Sequence, residues 1–303
     1  MLRACHPAFS ALALSTALLA LVPATAQAES AQTEPAYPTA LVPTADALKL
    51  DLGGLFAILS WSGFNDWKWG SASFRFQSEG WFGMDTGSGG QDKLGHAFSS
   101  YLMAEFLYLR LRSYYGRQDV VTPLPALFSW TLMLYVEFFD GFSVDHGFSY
   151  EDLLMDAAGA TASFLRQRVP GLARAFDFRM EYYPSAGMRE LHPMIDYSGQ
   201  KFLLALKPAG FGAPKESFLD LVELHLGYYT RGFSDDDAPY FREKQAHLYF
   251  GLGANLERIL FEPVGPREAY AGTPLDYAHA AVNYFQLPAT TLQTDLSIRR
   301  AAR

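Results

Sequence analysis

Acidic and histidine side chains recur at helical spacing in the first half of the chain and could do chemistry together. Two pairs are four residues apart, Asp92 with His96 and Asp152 with Asp156, so the members of each pair share one face of a helix. One imidazole with several carboxylates can hold a divalent cation, or it can form acid and base groups whose pKa values are pushed apart by repulsion. The candidate catalytic residues are His96, Glu137, Asp140, Asp152 and Asp156.

The same region also has a structural interpretation. Asp92 stands where an acid favours the start of a helix, and Ser149 with Asp152 resembles a capping box. Lys93 can neutralise one carboxylate, so we assign Asp92, Lys93 and Ser149 to a polar network. A network that only fixes the helices and a ligand or catalytic site both remain open.

Either interpretation requires that the polar residues converge from separate helices. Burying several unpaired carboxylates costs multiple kcal/mol, so they need a cation, shared protons, or the partners Lys93 and His96. We therefore expect replacement of His96 or Glu137 by alanine to be far more damaging than replacement of Glu105, which we place on the flank of its helix.

Three helices must position these residues. Apolar residues at helical spacing predict the first over 92–114, and the second begins after Pro123 and ends at Asp140 and Gly141. Ser149 is the expected N-cap of a third helix that runs to about Arg168. Short loops between the three helices indicate an antiparallel bundle, with an apolar element over 48–61 before it.

After about residue 176 the chain changes to strand-like alternation. We expect strands within 201–207, 219–229 and 246–260, and weaker ones within 277–285 and 290–298. An aromatic stretch also indicates a strand or hairpin over 71–77. The predicted fold class is α+β, an N-terminal bundle of three to four helices followed by an antiparallel β-rich half. The domain boundaries are 48–175 for the helical domain and 176–303 for the β-meander.

The N-terminus has the pattern of a secretory signal peptide. Arg3 and His6 precede an apolar stretch of roughly 15 residues, and the small-residue motif around Ala28 suits cleavage. Removal of residues 1–28 leaves 29–47 as an extended linker. The single cysteine, Cys5, lies before the apolar stretch, so it does not have the position of a lipoprotein's acylated cysteine.

Composition excludes several classes of protein. Half of the 303 residues are hydrophobic and only 18% are charged, so the chain is not of the disordered class. A net charge of −8 argues against a nucleic-acid partner, and one cysteine cannot build a zinc–thiolate site. The 92–114 helix carries too many charges for a membrane span that is exposed to lipid. A membrane span whose charged residues face the interior of a helix bundle remains an alternative.

Two stretches, EGWFGMDTGSGGQDKLGHAFSSYL and VEFFDGFSVDHGFSYEDLLMDAAGA, resemble the YfiM-like family of predicted periplasmic lipoproteins and, more distantly, VanZ-like membrane proteins. The resemblance covers about a third of the chain and implies an envelope location but no reaction. The chain differs in lacking a lipobox cysteine and in having Asp156 where asparagine is often found. The family pattern falls on Asp92, Lys93, His96, Glu137, Asp140, Gly141, Gly147, Phe148, Ser149, Asp152, Asp156 and Gly159.

Two functions of different class follow as hypotheses. One is a non-enzymatic, membrane-associated component that is structural or contacts membrane or envelope lipid, with no protein partner indicated. The other is an acid/histidine enzyme, with or without a divalent metal, acting on envelope lipids or lipid-linked phosphates. The expected location is the periplasm, at the outer membrane. An open pocket with converging polar side chains favours the enzyme, and a closed network favours the scaffold.

Overall fold

The computed structural model describes residues 40–115, 121–186, 188, 193–214, 217–234, 237 and 239–301. The expected signal peptide and the first part of the linker, residues 29–39, lie outside the described residues. The fold is α+β, as predicted, with the helices first and a mostly antiparallel sheet after them. The helices are α1 (Leu41–Ala47), α2 (Lys49–Asn65), α3 (Gln91–Tyr115), α4 (Leu124–Asp140), α5 (Tyr150–Arg168), α6 (Leu172–Ala175), α7 (Leu256–Phe261) and α8 (Pro274–Val282).

The sheet has six strands in the order β5-β1-β2-β3-β4-β6. All neighbouring strands are antiparallel except β5 and β1, which run parallel. Strand β6 forms one edge, and its hydrogen-bonding partner within the sheet is β4 alone. The strands are β1 (Phe176–Tyr182), β2 (Gln200–Leu206), β3 (Val222–Arg231), β4 (Glu243–Ala254), β5 (Phe285–Gln286) and β6 (Thr291–Ala301).

Helix α3 lies at the centre of the molecule and touches both halves. Its Phe98 ring packs against Phe178 of β1, Phe202 of β2 and Phe285 of β5, with centroids 5.5, 5.7 and 5.9 Å apart. These aromatic side chains belong to one apolar core that also contains residues of α2, α4 and α8. The helical and β-rich halves are therefore two layers around a shared core.

A glycine allows α5 to cross α3 at close range. A Cβ on Gly159 would lie 1.9 Å from the carbonyl oxygen of Ala97, so only glycine fits at this crossing without movement of the helices. The close approach brings the polar faces of α3 and α5 into contact.

The three helices predicted from periodicity are present as α3, α4 and α5, and each predicted end lies within one residue of the observed end. Ser149 is the N-cap of α5, as predicted. Its hydroxyl accepts a hydrogen bond from the Asp152 N–H at 3.2 Å. The strands expected within 201–207, 219–229 and 290–298 are also present, whereas the one expected within 246–260 ends with β4 at Ala254 and is followed by helix α7.

Other local predictions were wrong. The stretch 71–77 forms only a single bridge, Phe76 with Phe148, and the stretch 277–285 is mostly helix α8 followed by the short β5. The end of the expected extended linker is helix α1, and the apolar element expected over 48–61 is present as helix α2.

In the described part of the chain, every helix is too short or too polar to cross a membrane.

Candidate functional site

The predicted polar residues come together between α3, α4 and α5, with His96 at the centre. Its Nδ1 lies 3.2 Å from Asp156 Oδ1 and 3.5 Å from Glu137 Oε1. Its Nε2 lies 3.9 Å from Asp92 Oδ1 and 4.0 Å from Asp152 Oδ1. One imidazole therefore faces four carboxylates contributed by three helices. We call His96, Asp92, Asp152, Asp156 and Glu137 the acid–histidine cluster.

A buried lysine neutralises one side of this cluster. Lys93 Nζ lies 2.6 Å from Asp152, 2.8 Å from Glu79 and 2.9 Å from Asp92. Tyr197, from the turn before β2, donates a hydrogen bond to Asp92 Oδ1 at 2.9 Å. The polar network that the sequence indicated thus contains two further members, Glu79 and Tyr197.

The side chains of Glu137 and Asp140, both on α4, have different partners. Glu137 Oε2 accepts the backbone N–H of Ser149 at 3.2 Å, which leaves its other oxygen towards His96. Asp140 Oδ1 accepts the indole N–H of Trp69 at 2.6 Å. Asp140 is therefore held at the edge of the cluster by Trp69, an aromatic partner that no spacing in the sequence indicates.

The environment separates the pKa values of the carboxyl groups. Burial raises the pKa of Glu137 to about 9, and the neighbouring carboxylates add to this shift while His96 opposes it. Burial works in the same direction on Asp92, but His96 and Lys93 outweigh it and hold its pKa well below the usual range. One carboxyl that keeps its proton at neutral pH thus lies in the same cluster as one that does not, as in sites of acid–base catalysis.

The charge of the imidazole follows from the same neighbours. Burial disfavours the charged ring, but Asp156 and Asp152 overcome this effect and raise the pKa of His96 well above its usual value. Burial raises the pKa of Asp156 as well, against the opposing effect of His96. Asp156 is fully buried, and its Oδ2 has no hydrogen-bond partner.

A cavity of about 270 Å³ opens beside the cluster. His96, Glu137, Asp140 and Asp152 are among the residues that line it. The larger part of the wall is apolar and is contributed by α2, α3, α4 and the strands β1 and β2. The apolar lining side chains include Leu55, Leu59, Phe98, Leu102, Met133 and Phe202.

A second polar network surrounds Glu105, so the flank of α3 on which we placed this residue is buried. Glu105 is buried and accepts hydrogen bonds from Ser163 at 2.9 Å, Arg166 at 3.1 Å and Tyr284 at 2.9 Å. Gln167 donates to both of its oxygens. This network joins α3, α5 and the segment before β5, and it contains no residue that lines the cavity.

The apolar side of the sheet packs against α3 where it carries Phe178 and Phe202, but it is exposed farther along the sheet, whereas the polar side is buried. On its buried side Arg179 lies 2.7 Å from Glu223, and His225 Nε2 lies 3.3 Å from the same carboxylate. The opposite side exposes large apolar side chains, up to 80% for Leu292. We call this surface the apolar sheet face; it consists of Leu204, Leu224, Leu226, Leu248, Phe250, Leu252, Leu292, Leu296 and Ile298.

Comparison with known proteins adds one match. Residues 78–168 match a family described as predicted periplasmic lipoprotein (DUF2279). No curated protein and no solved structure matched the chain. The matched segment begins at the loop that carries Glu79 and ends with α5, so it includes the whole acid–histidine cluster. Tyr197, which belongs to the neighbouring Lys93 network, lies outside the matched segment. The match supports an exported, periplasmic protein of the cell envelope.

Proposed function

We propose that the protein is a membrane-associated component of the cell envelope that contacts lipid through the apolar sheet face. The observation that carries this proposal is that the apolar side of the sheet stays exposed beyond the part that α3 covers, while the polar side is buried. In a sheet of a water-soluble domain, alternating residues place apolar side chains inside and polar ones outside. Here ion pairs are buried and leucines are exposed, which suits an apolar environment on the outer side.

The apolar sheet face is continuous across four strands. Leu204 is the register partner of Leu226, which pairs with Phe250 on its other side. Leu252 pairs with Leu292 in the same way. Exposed contiguous apolar patches of this kind mark interaction sites with proteins or membranes.

Lipid fits this face better than a protein partner does. Protein interfaces form about one hydrogen bond for every 100–200 Å². Among the outward positions between Val222 and Tyr228 of β3 and between Leu292 and Ile298 of β6, only Tyr228 and Thr294 have a hydrogen-bonding side chain. Acyl chains need no such groups. The glycine–aromatic alternation of β4 is typical of outer-membrane strands, so the outer membrane is the membrane that we propose.

Vesicle flotation tests the proposal. We expect the mature protein to float with vesicles of phosphatidylethanolamine and phosphatidylglycerol. The triple variant Leu224→Thr, Phe250→Thr, Leu296→Thr should reduce the bound fraction at least tenfold. Full burial of one such apolar side chain in lipid provides roughly 1.5–3 kcal/mol, and each replacement by threonine loses a substantial part of it. A loss of 1.4 kcal/mol lowers the equilibrium constant for binding about tenfold.

A matched control replaces three exposed leucines of the helical half, Leu127→Gln, Leu154→Gln and Leu165→Gln, and should float like the wild type. Equal flotation of both triple variants would exclude the sheet face as the contact. A lipid-independent dimer that the sheet-face variant abolishes would assign the face to a second copy of the chain instead.

The cavity favours a second candidate function, an acid/histidine enzyme acting on an envelope lipid or lipid-linked phosphate. Converging polar side chains at the end of an apolar cavity are the arrangement that such an enzyme needs, and Glu137 and Asp92 have the opposed pKa shifts of an acid and a base. Mass spectrometry of envelope lipid extract incubated with wild type or with Glu137→Gln tests it. Products formed only by the wild type support the enzyme, and an unchanged lipid profile with both proteins contradicts it.

A further inference from the structure

We infer that His96, Glu137 and Asp156 form a binding site for one zinc ion. This site is independent of the proposed membrane contact, because it lies between the helices and includes no residue of the sheet. One potential ligand atom from each of the three residues lies within 4.8 Å of the others.

The distances match those of a tetrahedral zinc centre. Two ligands that are each about 2.1 Å from a tetrahedral ion lie about 3.4 Å from one another. The separations from His96 Nδ1 to Asp156 Oδ1 and to Glu137 Oε1 are 3.2 and 3.5 Å. Imidazole nitrogen and carboxylate oxygen are both ligands that zinc accepts.

Asp156 supplies an observation that is independent of the clustering. Its side chain is completely buried, and its Oδ2 has no hydrogen-bond partner. A buried carboxylate oxygen without a partner is costly, since nothing replaces the water that it has lost. A cation held by both oxygens of Asp156, in place of the hydrogen bond between Oδ1 and His96, would remove this cost.

The surroundings of the three residues also suit a metal, which on binding would displace the proton of Glu137 and the proton that Asp156 and Asp152 favour on His96. The backbone N–H of Ser149 orients Glu137 through the oxygen that faces away from His96. The Nε2 of His96 faces Asp92 and Asp152, as metal-bound histidines commonly face a carboxylate with their second nitrogen. His96 and Glu137 line the cavity, which leaves room for a fourth ligand from that side.

Lys93 discriminates between the two metal sites that the cluster could form. Asp92, His96 and Asp152 also have ligand atoms within 4.8 Å of one another. The ammonium group of Lys93 already lies 2.9 Å from Asp92 and 2.6 Å from Asp152, so it would repel a cation there. Glu137 and Asp156 have no ion-pair contact with a lysine or arginine among the described residues.

Zinc titration of the full mature chain, stripped with a chelator and followed by calorimetry, tests the site. We expect one Zn²⁺ per chain and a Kd at least tenfold higher for Asp156→Asn and for His96→Ala. Asp145→Asn, which alters a partly exposed carboxylate paired with Lys68, should bind like the wild type. No binding by the wild type, or equal binding by Asp156→Asn, would overturn the assignment.

Two further results distinguish the alternatives. If Asp92→Asn weakens binding as much as Asp156→Asn does, the ion sits beside Lys93 and the assignment is wrong. X-ray absorption of the zinc-loaded wild type needs no variant and decides the question even if a variant fails to fold. We expect one imidazole nitrogen with oxygen ligands, and a spectrum without an imidazole contradicts the site.

Discussion

Glu79 is the member of the Lys93 network whose protonation changes near neutral pH. Burial, reinforced by Asp92 and opposed by Lys93, raises the pKa of Glu79 to about 7. A carboxyl whose pKa is higher in the folded than in the unfolded protein contributes stability below its unfolded value of about 4.5. That contribution is lost as the pH rises from there through 7.

Glu79→Gln should therefore make the free energy of unfolding less dependent on pH between about 4.5 and 7. Glutamine still accepts a hydrogen bond from Lys93 but has no charge to bury. Relative to the wild type, the variant should gain stability from pH 5 to pH 8, by at most about 3 kcal/mol. Urea unfolding at both pH values measures this, and an equal loss at pH 5 and pH 8 would show that the ion pair with Lys93 dominates.

Replacement of Glu105 should lower stability, unlike replacement of Glu79 at high pH, because both oxygens of the Glu105 carboxylate accept hydrogen bonds. Glu105→Ala leaves the donors of Arg166, Gln167 and Tyr284 without this acceptor in a buried site, so we expect a loss of about 3–5 kcal/mol of unfolding free energy. Asp145→Ala, which breaks the exposed ion pair with Lys68, should cost at most about 1 kcal/mol. Comparable losses in the two variants would contradict this account.

Helical periodicity was sufficient to predict that the acids and His96 share faces, and the structure brings those faces together. It could not reveal Glu79 or Tyr197, because both lie in irregular segments and reach Lys93 and Asp92 only through the tertiary fold. The position of Glu105 was misjudged for a related reason. Its partners Arg166 and Tyr284 come from α5 and from the segment before β5, and no spacing within α3 indicates them.

At the scale of the elements, the crossing of α3 and α5 determines whether the cluster can form. Gly159→Ala would force the two helices apart, since its Cβ would meet the carbonyl oxygen of Ala97. We expect a loss of at least about 2 kcal/mol despite the higher helix propensity of alanine.

Gly53→Ala is the matched control for this change. Gly53 also lies inside a helix, but its Cβ would have no atom within 4 Å, so alanine should be neutral or stabilise by up to about 1 kcal/mol. Urea unfolding of the two variants measures the difference. A Gly159→Ala protein as stable as Gly53→Ala would show that the helices separate at little cost.

The long helices were predictable because each carries several turns of apolar periodicity and ends at proline, glycine or a capping serine. Short elements were less predictable. The stretch 71–77 alternates like a strand, but its backbone bonds to the loop after α4, where Ala72 N–H donates to Phe142 and Arg75 N–H to Gly141. The stretch 277–285 is too short to distinguish the helical period from the strand period, and it begins within helix α8.

For the whole molecule, the sheet shows why alternation alone does not identify the buried side. The pattern of β3 and β4 indicates strands, but it does not say that Glu223 and His225 face inward while Leu224 and Leu226 face outward. That assignment depends on Arg179 of β1, which pairs with Glu223 across the buried side. The helical half then contains a site beside a cavity, and the β-rich half has the exposed apolar sheet face that we propose as the membrane contact.

The most direct test of the membrane contact is fluorescence from an environment-sensitive label on the apolar sheet face. The only cysteine, Cys5, is expected to leave with the signal peptide, so a single cysteine can be placed in the mature chain at Leu296 or, as a control, at Leu154 of α5. On addition of vesicles, we predict a blue shift and quenching by brominated lipid at position 296 and neither change at position 154. An unchanged spectrum at 296, or equal quenching at both positions, would contradict the proposed contact.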